Sequence, residues 1–188
     1  MKRAALLFGL LLLLPIAGQG APSSASNTYN TLTRAEKWLV LRYFWQAPAV
    51  YGAANDARDE SASRYPQQAG QDDQRDAYRH SLWNGSMTRR LKSERSAERW
   101  GNAHEEFPGN PAARKAMDLS NNQTGRQITW AARTTSGPWW RRQVTFPSDT
   151  ATATTLRTML GNGQLVMVEE VGGARDPQNG QLVPTTAP

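Results

Sequence analysis

A succession of helix-start signals constrains the fold of this chain more than any other feature of its sequence. They stand at Thr33 with Glu36 three residues later, at Asp72 or Asp73, at Ser93 and at Pro111. The first is spaced as a capping box, the next two are N-cap residues, and a proline can open a helix as its first residue. The sequence therefore predicts an all-α fold, a compact bundle of four to six helices.

The helical signal weakens after Trp130. Residues 150–160 are a short predicted helix, and residues 164–171 favour a minor C-terminal β-strand or hairpin. Residues 172–188 are rich in Gly, Pro and polar side chains, which is typical of a disordered tail. We therefore expect one helical domain over residues 33–171, with a motif-bearing core at 72–130 and a disordered lead at 22–32.

The first 21 residues have the order of a secretory signal peptide. Lys2 and Arg3 precede an apolar run over residues 4–14, and small residues follow Pro15. The run is shorter than the ~20 residues that span a bilayer, which disfavours the alternative of an uncleaved membrane anchor. We expect cleavage near residues 20–21, a periplasmic or secreted destination, and a mature chain that is not an integral membrane protein.

Composition excludes some chemistry and suggests partners. The chain has no Cys, so thiol catalysis, thiolate metal sites and redox switching are ruled out. Its formal charge of +6 falls to +4 without Lys2 and Arg3 of the predicted signal peptide. A basic exported protein attracts anionic partners, so we expect it to bind an envelope component, either phospholipid or peptidoglycan. The alternative is that the charge only aids solubility. Specific nucleic-acid binding is not expected, because the positive residues are scattered.

Seven Trp is a high count for this length, and Trp is typical of packed cores and of binding surfaces. An apolar set at helical spacing follows the first capping box. It consists of Trp38, Leu39, Leu41 and Trp45. We expect most of these side chains to lie in the core.

Three polar clusters lie on three consecutive predicted helices. The first contains Asp76, Arg79, His80, Trp83 and Asn84; the second His104 and Glu105; the third Asp118, Asn121, Asn122, Gly125 and Arg126. Asp76 precedes His80 by one helical turn, so its carboxylate can orient the ring. Helices packed in a bundle can bring such clusters to one point. Gly125, costly inside a helix, is expected to permit close helix approach.

These residue types predict specific roles. The candidate catalytic residues are His80, Asp76, His104 and Glu105, and the candidate substrate-binding residues are Arg79, Trp83, Asn84, Asn121, Asn122 and Arg126. A divalent ion, Zn or Ca, is a possible cofactor, with His80, His104 and Asp118 as its ligands. Two histidines cannot form a three-His zinc site, and no zincin signature, Gly-x-Ser-x-Gly elbow or P-loop is present.

The clusters resemble an uncharacterised bacterial domain family that is associated with secretion and toxins. Its pattern is Asp-Ala-aromatic-Arg-His-x-x-Trp-Asn, then Ala-His-Glu, then Met-Asp-x-x-Asn-Asn-x-x-Gly-Arg, and this chain carries it between Asp76 and Arg126. The resemblance implies secretion and action on cell envelopes. Ser120 stands where a His is common in that family, so a chemical role of that His is absent here.

Two functional interpretations follow. The first is a secreted hydrolase that acts on an envelope component through the His, Asp, Glu and Asn cluster. The second is a non-catalytic periplasmic binding or immunity-like protein whose polar cluster is structural. Burial distinguishes them, because a sealed network indicates structure and an open cleft indicates a site.

Overall fold

The computed structural model describes residues 31–186, and within them six α-helices carry the fold. The helices are α1 (Arg34–Arg42), α2 (Ala47–Arg64), α3 (Gln74–Leu91), α4 (Glu94–His104), α5 (Ala112–Ala131) and α6 (Asp149–Gly161). The prediction of a mainly helical fold with a minor C-terminal strand region is confirmed. The predicted signal peptide and residues 22–30 of the predicted lead lie outside the described residues.

Between residues 31 and 186, six short strands form three antiparallel pairs. They are β1 (Thr134–Ser136), β2 (Gln143–Thr145), β3 (Val166–Val168), β4 (Glu170–Val171), β5 (Ala174–Arg175) and β6 (Leu182–Pro184). β1 pairs with β2 around a 3₁₀ turn at Trp139–Arg141, β3 pairs with β6, and β4 pairs with β5. Met167 of β3 lies opposite Val183 of β6.

The helix starts follow local side-chain chemistry. Thr33 and Glu36 form both bonds of a capping box, and the side chains of Asp73 and Ser93 cap α3 and α4. Pro111 stands one position earlier than predicted, as the N-cap residue of α5, with a φ of −59° that suits a helix entry. Short-range capping rules therefore locate four of the six helices.

Helix α3 lies at the centre and packs against α2, α4, α5 and α6. Its contact with α5 is close because Gly125 has no side chain. A Cβ placed on Gly125 would lie 1.9 Å from the carbonyl oxygen of Ser81. The close approach that the sequence predicted for Gly125 is present, and it brings the first and third polar clusters together.

The C-terminal residues differ from the disordered tail expected from residue 172. β6 pairs with β3, and Thr185 is buried, with its hydroxyl donating to the Leu160 carbonyl at 2.6 Å. The amide of Thr185 also donates to the carbonyl of Leu165 at 3.0 Å. The polar composition suggested disorder, but these backbone and hydroxyl hydrogen bonds satisfy the polar groups within the fold.

The apolar side chains after the first capping box are mostly exposed, whereas the sequence predicted that they lie in the core. Trp38 and Leu41 are 57% and 63% exposed, Trp45 is exposed as well, and only Leu39 of the set is buried. The tryptophans therefore divide: Trp83 and Trp100 lie in the core. In the described part of the chain, no helix combines the length and the apolar composition needed to cross a membrane.

Candidate active site

Three elements bring the polar clusters to one place: α3, the end of α4 with the residue after it, and α5. The rings of His80 and His104 have centroids 6.3 Å apart. Glu105 follows α4 directly, and Asp118 lies on α5 facing α3. The clusters are distant in sequence, and helix packing makes them neighbours.

The Nε2 atom of His80 is surrounded by charged groups. It lies 3.3 Å from Oδ1 of Asp76, 3.4 Å from Oδ1 of Asp118 and 3.3 Å from a guanidinium nitrogen of Arg79. Asp76 is one turn earlier on the same helix, so the i,i+4 spacing of α3 positions this pair. The ring is therefore held from two sides, by its own helix and by α5.

The opposite nitrogen of His80 faces Glu105. Nδ1 lies 3.7 Å from Oε1 of Glu105, and both atoms are buried without a hydrogen-bond partner. The second oxygen of Glu105 accepts a bond from the amide of Asn110 at 3.2 Å. Buried polar atoms without partners are uncommon in folded proteins, so this pair is available to a ligand.

Further bonds hold Asp76 in place. Its Oδ2 accepts from the backbone amide of Asp72 at 2.7 Å, and Arg79 forms an ion pair with Oδ1. Asp72 has a left-handed φ of 63° and receives two bonds from Arg114, at 2.8 and 2.7 Å. A strained residue so close to the cluster is typical of functional sites.

Burial and the neighbouring charges shift the pKa values of the two aspartates in opposite directions. Burial lowers the pKa of His80, but Asp118 and Asp76 outweigh it and raise the pKa to about 9. Burial would raise the pKa of Asp76, yet its bond to His80, together with the charges of His80 and Arg79, lowers it to about 2. Burial, with the charges of Asp76 and Glu105, raises the pKa of Asp118 to about 7 against the opposing effect of His80.

Two cavities meet at His80. A polar cavity of about 360 Å³ is lined by Asp76, Arg79, His80, His104, Glu105 and Asp118, together with Arg114, Phe107 and residues 69–71. A second cavity, of about 340 Å³, has mainly apolar walls and shares Arg79, His80 and His104 with the first. The polar cluster is therefore not sealed inside the bundle.

His104 is placed at the rim rather than in the cluster. Its side chain is 47% exposed, and its Nδ1 lies 2.9 Å from Oε1 of Glu36. The ring also contacts Trp83 edge to face, with centroids 5.0 Å apart. Trp83 lines the apolar cavity and donates its indole N–H to the carbonyl of Val50 at 3.3 Å.

Four of the candidate substrate-binding residues join elements of the fold instead. Asn84 donates to the side chain of Asn122 at 2.5 Å and accepts from Arg126 at 3.1 Å, and all three are buried. Asn121 pairs with the backbone of Val166 through two bonds, at 2.8 and 3.1 Å. None of the four lines either cavity at His80, so the structure does not bring them to the cluster around that residue.

Among the residues that the structure describes, the grouping of side chains that could hold a metal ion differs from the set expected from the sequence. Asp76, His80 and Asp118 each offer one ligand atom, and these atoms lie within 4.8 Å of one another. His104 is not in this group, because its Nδ1 faces Glu36. Arg79 already places a positive charge beside both His80 and Asp76.

Three residues at the site were not predicted as functional: Glu36, Asp72 and Arg114. Glu36 was predicted only as the second member of a capping box. In the structure its Oε2 accepts from the backbone amide of Thr33, as a capping box requires, and its Oε1 contacts Nδ1 of His104. Asp72 stood beside the cap residue as an alternative cap. Its pairing with Arg114 joins residues 42 positions apart, and no sequence signal indicates it.

Comparisons with known proteins agree with the uncharacterised character of the motifs. A family model described as "Domain of unknown function (DUF6973)" matches residues 37–152, which include all three polar clusters. Searches of curated proteins and of solved structures returned no match. The matched range is more than half of the chain, and the protein belongs to the DUF6973 family.

Proposed function

We propose that this protein is an exported hydrolase that acts on a component of the bacterial envelope. The observation that carries the proposal is the His80–Glu105 pair, two unpartnered buried atoms 3.7 Å apart at the wall of an open cavity. A protein whose polar cluster is purely structural has no need of an opening at this position.

The roles follow from the two sides of the His80 ring. Asp76 and Asp118 lie on the Nε2 side and position the imidazole. Nδ1 and Glu105 lie on the other side, where they can exchange protons with a water molecule and a leaving group. Arg79 and Arg114 line the same cavity and can stabilise negative charge that develops on the substrate.

Export and the envelope substrate rest on the sequence. The leader-like residues 1–21 and the net charge of +4 that remains without Lys2 and Arg3 favour an anionic partner outside the inner membrane. N-terminal sequencing of chain recovered from the periplasm should give a start near residues 21–22. A chain that keeps Met1 in the membrane fraction would contradict the export proposal.

Hydrolysis is tested by incubating the purified exported chain with phospholipid vesicles and, separately, with peptidoglycan, and by identifying products by mass spectrometry. His80→Gln and Glu105→Gln are each expected to lower the rate by about 10²–10⁴-fold, as removal of a general acid or base does. Glu106→Gln is the matched control, since Glu106 is the exposed neighbour of Glu105, and it should keep the full rate.

The result that would contradict the hydrolase is a folded His80→Gln protein with undiminished activity, or no product from either material. In the second case the binding or immunity-like function is favoured, and the cluster is a structural network. Thermal unfolding of each variant separates the two explanations, because a structural role lowers stability rather than turnover.

A metal-assisted version of the same reaction is a second candidate, favoured by the close grouping of Asp76, His80 and Asp118. In that version the three side chains would hold one divalent ion, which would activate water. Metal analysis after dialysis against a chelator, with Asp118→Asn beside the parent chain, tests it. Stoichiometric metal that is lost in Asp118→Asn supports this version, and full activity in metal-free protein rejects it.

A further inference from the structure

We propose that the substrate is a lipid, an amphiphile with at least one acyl chain, and that the apolar cavity beside His80 binds this chain. The inference rests on the hydrolase proposed above and names its substrate class. It chooses phospholipid over peptidoglycan from the shape and lining of the two cavities.

The apolar cavity has the size and walls of a ligand site. Its volume of about 340 Å³ lies within the ~300–1,000 Å³ that small-molecule sites occupy. The apolar part of its lining consists of Leu32, Val50, Tyr51, Ala54, Trp83 and Trp100. Such walls suit an alkyl chain, which gains free energy by leaving water.

The two cavities differ in polarity, although the mainly apolar one is also lined by Glu36, Asn55 and Arg58. His80, with Arg79 and His104, lines both cavities. An amphiphile that fills both would place its chain against Trp83 and its polar part toward Arg114. The junction of chain and polar part would then lie at His80, and in a phospholipid that junction is the acyl ester.

The sugars and peptides of peptidoglycan carry hydrogen-bonding groups along their whole length. Placing them against apolar side chains such as Val50 and Trp100 would leave those groups without partners. An acyl chain has no such groups to satisfy. The apolar part of this lining therefore favours a lipid chain.

A nearby exposed surface is consistent with lipid. Trp38 and Leu41 are more than half exposed on α1, the helix whose Glu36 lines the apolar cavity. Phe44 and Trp45 are exposed just after this helix. The two tryptophans, each an apolar ring system with one polar N–H, suit the boundary between water and lipid.

The reaction at the junction is ester hydrolysis. Water adds to the carbonyl carbon, and the bond from that carbon to the alcohol oxygen breaks. The proton removed from water is carried by His80 or Glu105 to the departing oxygen. The products are a fatty acid and an alcohol, and no oxidant or further reactant is consumed.

Binding is tested separately from turnover with an octyl ether lysophospholipid, whose ether-linked chain cannot be hydrolysed. Affinity is measured by calorimetry below the critical micelle concentration of the probe. The same headgroup without a chain and a purified muropeptide are the comparison ligands. The lysophospholipid should bind at least about tenfold more tightly than either.

Filling the cavity tests where the chain lies. Ala54→Phe places a ring in the apolar cavity and should weaken binding of the octyl probe at least about tenfold. Ser63→Phe adds the same ring to an exposed position of the same helix and should leave affinity within about twofold. Tyr51→Ala enlarges the cavity and should shift the binding preference of the protein from an octyl toward a dodecyl chain. This second variant tests the same site if Ala54→Phe does not fold.

Two results would overturn the lipid assignment: tighter binding of the muropeptide, or octyl and dodecyl affinities that neither Ala54→Phe nor Tyr51→Ala alters. His80→Gln separates this inference from the hydrolase itself, because it should bind the probe while losing turnover. Chain binding without hydrolysis of any phospholipid would refute the hydrolase and leave the lipid site in place.

Discussion

At the scale of single residues, identical chemical types serve different purposes according to what surrounds them. Asp76, Asp118 and Glu105 are buried carboxylates that converge on His80. Asn84 and Asn122 are equally buried, but they bond to each other across the contact of α3 and α5. Buried polar side chains therefore occur here both as a cluster around His80 beside a cavity and as a structural link between helices.

Asn84→Ala should separate the two uses. Loss of its bonds to Asn122 and Arg126 leaves buried groups without partners, so we expect the free energy of unfolding to fall by about 2 kcal/mol. Turnover per folded molecule should change by less than about twofold, because Asn84 does not line the cavities. Denaturant unfolding beside a rate assay checks both, and a large loss of rate in stable protein would argue for a direct role.

The roles of single residues were predictable only where their partners are local. The pairing of Asp76 with His80 follows from one helical turn, and it was expected from the sequence. Glu36 on His104 and Arg114 on Asp72 join distant parts of the chain, and no periodicity indicates such partners. The consecutive asparagines looked like ligands because they are poor helix formers. In the structure Asn122 bonds to Asn84 across the helix contact, and Asn121 bonds to the backbone of Val166 in β3.

At the scale of elements, the contact of α3 with α5 determines whether the site exists. Gly125 allows this contact, since its Cα faces the carbonyl of Ser81 directly. The same contact carries His80 toward Asp118. Moving these two helices apart would separate the imidazole from one of its carboxylates.

Gly125→Ala is therefore expected to be severe. The added methyl group would meet backbone atoms of α3, which cannot rotate away, and we expect a loss of about 3 kcal/mol of stability with a parallel loss of activity. Gly161→Ala is the matched control, because a Cβ there meets nothing within 4 Å. Chemical denaturation of both proteins tests this, and equal stability would show that the helix contact is less tight than described.

Helix α6 is joined to α3 by a charge cluster that makes stability depend on pH. Asp149 begins α6 and accepts from Ser86 at 2.5 Å and from Arg89 at 2.9 Å. Burial would raise the pKa of Asp149, but bonds from Arg89 and Ser86 and the charges of Arg89 and Arg90 lower it. The stabilisation is complete above the unfolded pKa of about 4 and is lost as the pH falls through the lower folded value.

Asp149→Asn should remove the stabilisation that the ionised carboxylate gives. At pH 7 we expect it to lower the free energy of unfolding by about 1 kcal/mol, a modest value because the carboxylate is partly exposed. The difference from the parent protein should shrink as the pH is lowered below about 4. Unfolding curves across this range measure it, and a difference that grows at low pH would contradict the assignment.

Element boundaries show the same limit of sequence reasoning. The caps at Thr33, Asp73 and Ser93 are local, and they were correctly located. The strand over Leu182–Pro184 was not expected, because its stability comes from pairing with β3. The exposed face of α1 was assigned to the core, since helical spacing shows that apolar side chains share a face but not what the face meets.

At the scale of the whole molecule, the C-terminal residues connect helices α3 and α6 through hydrogen bonds. The carbonyl of Thr185 accepts from Gln74 at the start of α3, and its hydroxyl donates to Leu160 of α6. Truncation after Gly180 should therefore cost about 3 kcal/mol of stability, because it removes β6 and these bonds together. Removal of residues 187–188 alone is the control, and thermal unfolding of the two proteins gives the comparison.

The central claim for the whole molecule is that polar residues distant in the sequence, His80 of α3 and Glu105 after α4, form one reactive centre. The most direct measurement is the hydrolysis rate of His80→Gln, Glu105→Gln and the double variant. Residues that act as a unit are non-additive, so the double variant should be no slower than the slower single variant. Losses that multiply in the double variant, or a loss in only one of the singles, would contradict a shared centre.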